Sequence, residues 1–283
     1  MRIGNLSGRL TLFTEQGAVD VEKASGGRFG ADPQAVYDVW EDFLGWAQGA
    51  DLSGAIAFDT ADLGAPTPAP PQLFGIGLNY SDHAAEAGMP IPKEPIIFNK
   101  VTTCICGPND DTMIPKGSSK LDWEVELGIV IGQRARYLSK DKALDVVAGY
   151  CLANDVSERV FQIERAGQWI KGKSCETFGP LGPWLVTKDE LKNPQDLNMW
   201  LDVNGEKRQR GNTKTMIFDC RHLVWYCSQH FVLEPGDVII TGTPPGVALG
   251  MKPEPKYLKA GDVVTLGIDG LGEQRQKVVK FKM

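Results

Sequence analysis

The chain has 283 residues, enough for one large β-rich domain or for such a domain with a small appendage. Hydrophobic residues make up 42% and charged residues 23%, so composition points neither to disorder nor to a membrane span, and no apolar run is long enough to cross a bilayer. A net charge of -6 with scattered lysines and arginines excludes a phosphate-backbone partner, which needs a dense basic field.

Met1-Arg2-Ile3-Gly4-Asn5 lacks the apolar core of a secretory signal, which places the protein in the cytoplasm as an expectation. The six cysteines have no framework spacing and read as reduced, with Cys104 and Cys106 as small hydrophobes on a strand. Leu10–Phe13 and Ala18–Val21 read as short strands. They precede a helical pattern from Asp32 to Ala47, with Asp32-Pro33 as cap and first residue. Gly64-Ala65-Pro66-Thr67-Pro68-Ala69-Pro70-Pro71 is too proline-rich for helix or inner strand and reads as a linker. The expected boundary therefore separates residues 1–69, a small N-terminal α/β unit and linker, from residues 70–283.

Beyond the linker, apolar runs separated by turn residues predict strands at Leu73–Gly77, Ile96–Asn99, Val125–Ile131, Val146–Ala153, Pro183–Val186, Met199–Val203, Val238–Thr241 and Val263–Ile268. Glu234-Pro235-Gly236-Asp237 and Lys259-Ala260-Gly261-Asp262 are turns feeding two of these strands. The predicted class is α+β, mostly β, with a roll or barrel-like core and a few helices.

If Glu124–Ile131 is a strand, Glu124 and Glu126 project to one side, and Val125, Leu127, Ile129 and Ile131 to the other. Paired carboxylates against an apolar strand are costly unless a cation or protons neutralise them. Asp155 ends a second apolar run and reaches the pair if the two strands are neighbours. Three oxygen donors without Cys or His suit a hard cation such as Mg²⁺ or Mn²⁺. A solvated acidic strand edge, with Asp155 as a helix cap, is the other reading of the same spacing.

Ser157 reads as an N-cap, and Glu158–Ala166 as a short helix on which Arg159 and Gln162 share a face near Asp155, where an arginine fork suits a carboxylate. Lys173 lies in Lys171-Gly172-Lys173-Ser174, which lacks the upstream glycine spacing of a nucleotide-binding loop. His222 and His230 sit in an aromatic-rich stretch and read as packing residues. His83 differs: Ser81–Ala87 reads as a two-turn helix capped at Ser81 or Asp82 and stopped at Gly88, so that His83 and Glu86 share a face. A carboxylate beside an imidazole orients it and raises its basicity, although an exposed ion pair on a capped helix is the commoner outcome of such spacing. So short a helix is marginal alone and could order only around a ligand.

The order of these pieces is informative: Gly77-Leu78-Asn79-Tyr80-x-x-His83-x-x-Glu86, Trp123-Glu124-x-Glu126-Leu127, Asn154-Asp155-x-x-x-Arg159-x-x-Gln162, Gly172-Lys173-Ser174, and Thr241-Gly242-Thr243-Pro244-Pro245-Gly246-Val247. From about Leu73 to the C-terminus this series resembles the fumarylacetoacetate hydrolase family. The resemblance implies a mixed β-sandwich roll, a homodimer, and one divalent metal, usually Mg²⁺, with Mn²⁺ or Ca²⁺ able to substitute. By motif position, Glu124, Glu126 and Asp155 would be metal ligands, and Arg159, Gln162, Lys173 and Thr243 would hold the oxo-acid end of a small 2-oxo acid. His83 and Glu86 would activate water on a mobile lid, with Lys173 also among the catalytic groups. Tyr80, Met89 and Ile91 would line the distal end. Ala248 stands where the family usually has a glycine.

The activities implied are hydrolysis of a C–C bond in acylpyruvate-type 2,4-dioxo acids, decarboxylation of oxaloacetate, isomerisation or hydration of 2-oxo-dienoates, and ureidoglycolate lyase. They share polarisation of a chelated 2-oxo acid, which stabilises an enolate. The His83–Glu86 pair favours hydrolysis, because isomerisation and decarboxylation do not need water as nucleophile.

Overall fold

Val125–Ile131, buried at all seven positions, is an inner strand of a ten-stranded mixed sheet. A computed structural model describes residues 1–282. The strand order runs Gly17–Asp20, Arg9–Thr14, Arg2–Leu6, Leu185–Thr187, Val147–Asn154, Val125–Ile131, Val238–Ile240, Leu73–Gly77, Ile96–Lys100, with Leu63–Gly64 paired off this path to Arg2–Leu6. Neighbours are antiparallel except Val238–Ile240 and Leu73–Gly77, which run parallel. The strands predicted after the linker all form, with ends shifted by a residue or two.

A second, five-stranded sheet runs Glu206–Asn212, Asn198–Val203, Val263–Ile268, Gly272–Val279, Thr112–Met113. Two of its strands escaped the hydrophobic pattern because they carry polar residues inward. On Gly272–Val279 the buried positions include Gln274 and Gln276, whose amides donate to the carbonyls of Leu152, Gly182 and Pro108. Buried amides satisfied in this way carry little penalty, so an inner strand needs no apolar alternation.

Residues 1–69 contribute four strands at one end of the large sheet, and Ile3, Leu10, Trp40 and Phe43 lie in the same apolar cluster as Leu127, Val224 and Leu266. The helical pattern from Asp32 resolves into a 3₁₀ turn, Ala35–Val39, followed by an α-helix, Trp40–Ala47. Asp32 accepts from the Gln34 amide at 2.8 Å rather than capping one continuous helix. The longest helix is Cys220–His230, capped by Asp219 through the His222 amide at 2.7 Å. The chain is thus mostly β in several sheets, α+β in class, with no closed barrel among the described residues. No helix among them is long and apolar enough to cross a membrane.

Candidate metal centre and active site

Strand register builds the carboxylate cluster. Val125 pairs with Asn154 and Glu126 with Ala153, so the next position brings Asp155 opposite Glu124, where the Asp155 amide donates to the Glu124 carbonyl at 2.9 Å. Opposed residues project to the same face, and Glu126 follows Glu124 by one strand period. One oxygen from each of Glu124, Glu126 and Asp155 lies within 4.8 Å of the others, and all three residues are buried. The solvated-edge alternative is thereby excluded.

Buried cations close around two of these acids. Lys173 Nζ donates to Glu124 Oε2 at 2.9 Å and Asp155 Oδ2 at 2.6 Å, while Lys100 Nζ bonds Asp155 Oδ1 and the Phe178 carbonyl. Arg159 Nη2 donates to Glu124 Oε1 at 2.6 Å, Nε to Asp122 Oδ2 at 2.8 Å and Nη1 to Gln162 Oε1 at 2.9 Å. Asp122 accepts in addition from the Ala248 and Leu249 amides at 2.7 and 3.1 Å. Burial pushes the Glu124 carboxyl up, but Lys173 and Arg159 outweigh it and hold the group below the usual carboxylate range.

Glu126 is the exception. Burial, then the charges of Asp155 and Glu124, drive its carboxyl well above the ordinary range. Its Oε2 accepts the Gly242 amide at 2.7 Å, and no cationic side chain among the described residues hydrogen-bonds it. An all-oxygen set of three buried carboxylates, one without a cationic partner, fits a hard divalent cation, whose charge would remove the mutual repulsion.

Glu124 and Glu126 of the cluster line a cavity of about 480 Å³. His83, Glu86, Glu124, Glu126, Arg159, Gln162, Lys173 and Thr243 all line it, so the structure gathers the predicted groups at one place. His83 Nδ1 lies 3.2 Å from Glu86 Oε2, which also accepts the Gly246 amide at 3.2 Å. Their helix, Ser81–Ala87, ends at Gly88 in the left-handed conformation (φ 64°), as predicted. The expected Ser81 or Asp82 cap does not form. Ser81 Oγ donates to the Thr215 carbonyl, and Asp82 accepts from the His83 amide and from Thr215 Oγ1. Thr243 Oγ1 donates to the Val125 carbonyl at 2.9 Å and accepts from Gln209, fixing the Thr241–Val247 turn against the carboxylate strand.

Three expectations need correction. Ser157 and Glu158 form a short strand with Leu121–Asp122, and only a π-helical turn, Val160–Glu164, follows, because strand pairing claims the residues read as cap and first turn. Tyr80 does not line the cavity. Its side chain is fully buried and its hydroxyl donates to Met199 Sδ at 3.2 Å. Ile91 is absent from the lining as well, whereas Met89 is present. Gly172 owes its place to close packing, since a Cβ there would stand 2.4 Å from the Gln162 nitrogen. It belongs to the turn that delivers Lys173.

Lys100 and Asp122 were missed. Lys100 ends an apolar strand and Asp122 precedes Trp123-Glu124, and neither position carries a pattern that announces an inward-facing charge.

A family model described as fumarylacetoacetate (FAA) hydrolase C-terminal matches residues 72–279. The fold and site thus define a carboxylate-centred enzyme class, and the chain belongs to the fumarylacetoacetate hydrolase family. A Burkholderia cenocepacia protein provisionally named a hydrolase is 62% identical over 205 residues, covering 72% of this chain and 73% of that one. A crystal structure from Mycobacterium smegmatis, provisionally named an HpcE protein, is 44% identical over the whole of both chains with a TM-score of 0.93. Maleylpyruvate hydrolase from Sphingobium sp. SYK-6 is 29% identical over 99% of this chain and 100% of that chain, with a TM-score of 0.81. Its complex with manganese(II) and pyruvate is 26% identical over 100% of both chains, with a TM-score of 0.76.

Proposed function

We propose that the protein is a divalent-metal-dependent hydrolase that cleaves the C3–C4 bond of an acylpyruvate-type 2,4-dioxo acid. The observation that carries this reading is a cluster of three buried carboxylates, of which Glu124 and Glu126 line the same cavity as the His83–Glu86 pair. Glu124, Glu126 and Asp155 would hold Mg²⁺, with Mn²⁺ or Ca²⁺ able to substitute. The manganese and pyruvate held by the Sphingobium relative agree with such a site. A divalent cation there supplies Lewis-acid polarisation of the 2-oxo acid and offsets the carboxylate charge.

The chain's own groups account for the remaining steps. With Nδ1 protonated toward Glu86, the His83 Nε2 lone pair takes a proton from water as its oxygen adds to the C4 carbonyl. The C3–C4 bond then breaks with its electron pair going to C3, and protonation of C3 yields pyruvate beside the carboxylate of the released acyl group. Lys173, poised between Glu124 and Asp155, and Gln162, whose amide N–H groups are uncommitted among the described residues, would grip the substrate carboxylate and 2-oxo oxygen. Arg159 is already engaged with Asp122 and Glu124, so its main role is to orient the carboxylate floor rather than to act as a free fork. Cytoplasmic residence and a homodimer, with residues 70–283 carrying the site, belong to the same reading.

The test is an assay of the Mg²⁺-loaded chain with acetylpyruvate and oxaloacetate side by side. Stoichiometric acetate and pyruvate from the first, at a rate well above CO₂ release from the second, is expected. Preferred CO₂ release would replace hydrolysis by decarboxylation, and inertness toward both would remove the reading.

A further inference from the structure

Above the polar floor the cavity changes character. Two glycines one strand period apart, Gly75 and Gly77, leave room for aromatic rings: a Cβ at Gly75 would meet the Phe98 ring at 2.2 Å, and one at Gly77 would meet the Trp169 ring at 2.5 Å. The two rings tilt against each other, centroids 5.4 Å apart, and both line the cavity. Toward the mouth the lining continues with Met89, Ile96, Ile163 and Leu249, which are 53, 38, 48 and 42% exposed. Large apolar side chains gathered half-exposed around one opening mark a surface that awaits an apolar ligand. Among the described residues the only cation in the lining beyond Arg159 and Lys173 is Lys252, which is exposed. A volume near 480 Å³ lies in the range that holds ligands of drug-like size, on the order of 300 to 1,000 Å³, and exceeds the needs of a five-carbon dioxo acid.

Building on the hydrolase reading, we infer that the substrate's distal acyl group is bulky and apolar, an aryl or medium-length alkyl group, seated between the Phe98–Trp169 wall and the Met89, Ile163 and Leu249 rim. Each methylene buried there strengthens binding of the acyl end, and a terminal carboxylate would lose hydration against the same wall.

The Mg²⁺-loaded full chain is assayed with acetyl-, hexanoyl-, benzoyl- and succinylpyruvate, and binding of pyruvate and phenylpyruvate is followed by quenching of tryptophan fluorescence. Expected are kcat/KM values for the hexanoyl and benzoyl substrates at least about 10-fold above acetyl and succinyl, and phenylpyruvate binding about 10-fold tighter than pyruvate. Trp169→Ala should shrink the hexanoyl-to-acetyl ratio. Ile163→Lys, at an exposed rim position that folding tolerates, should move preference toward succinylpyruvate. If succinylpyruvate is preferred by the unaltered chain and Lys252→Met abolishes that preference, the distal end is a carboxylate site and the inference fails. No turnover of any dioxo acid, together with tighter binding of phenylpyruvate, would sink the hydrolase reading and leave the apolar subsite standing. Equal binding of pyruvate and phenylpyruvate overturns the subsite whatever the turnover.

Discussion

Glu124 and Asp155 face each other across an antiparallel strand pair, their backbones joined by the Asp155 amide and the Glu124 carbonyl at 2.9 Å, while Lys173 bridges their carboxylates. The opposition is set by register, so it does not depend on flexible loops. Asp155→Asn keeps the shape but removes one of the three negative charges offered to a cation. Mg²⁺ affinity measured by titration calorimetry should fall by on the order of 100-fold, with the far-ultraviolet circular dichroism unchanged. Undiminished affinity would place the ion elsewhere.

His83 reaches the cavity from a helix outside both sheets, and the only carboxylate partner of its imidazole among the described hydrogen bonds is Glu86. It touches none of the three clustered acids in that network. His83→Ala should lower kcat by roughly 10²- to 10⁴-fold while Mg²⁺ affinity stays within about twofold of the unaltered chain. Loss of both together would show that the histidine supports the metal centre rather than the water.

How far the site could be read from the sequence follows from what each residue's neighbours encode. Glu124 and Glu126 were legible because a strand period places alternate residues on one face. Their meeting with Asp155 needed the register of two strands separated by a loop, which a single sequence does not specify. The His83–Glu86 pair was legible because both residues lie on one short helix, within i,i+3 reach. Lys100 stayed hidden, since nothing near it distinguishes a buried lysine from a solvated one. The strand Gly272–Val279 stayed hidden because its inward glutamines are satisfied by carbonyls of distant segments. Proximity to Asp155 suggested a free fork at Arg159, whereas Asp122, three residues from Val125 in the chain, and Glu124 both engage its guanidinium.

Lys100 and Asp155 form an ion pair with both side chains wholly out of solvent, and the ammonium donates a second bond to the Phe178 carbonyl at 2.9 Å. Lys100→Met removes one partner and leaves the aspartate with Lys173 as its remaining cation. Breaking a buried pair on one side costs about 3 to 5 kcal/mol, because the surviving charge stays desolvated. Urea unfolding of the metal-free variant should show a loss of this size. Added Mg²⁺ should recover part of it, raising the unfolding midpoint more than in the unaltered chain. A metal-free stability equal to that of the unaltered protein would mean that Lys100 plays no part in holding Asp155.

The Glu234–Asp237 turn supplies a pH-dependent contribution away from the carboxylate cluster. Asp237 Oδ2 accepts from Gln72 Nε2 at 2.6 Å and the Glu234 amide at 2.8 Å, while its buried Oδ1 has no partner. Burial outweighs those bonds and raises the carboxyl from 3.8 to about 6. The folded state therefore holds this proton more tightly than the unfolded chain does. The resulting stabilisation is complete below pH 4 and is lost as pH rises through about 6, a change on the order of 2 to 3 kcal/mol. Asp237→Asn retains an acceptor for Gln72 and Glu234 and cannot ionise. Stability measured by urea unfolding at intervals from pH 4 to pH 8 should show the unaltered chain falling behind the variant across that window. A difference between the two that stays constant with pH would mean that Asp237 titrates in the folded protein as it does in the unfolded chain.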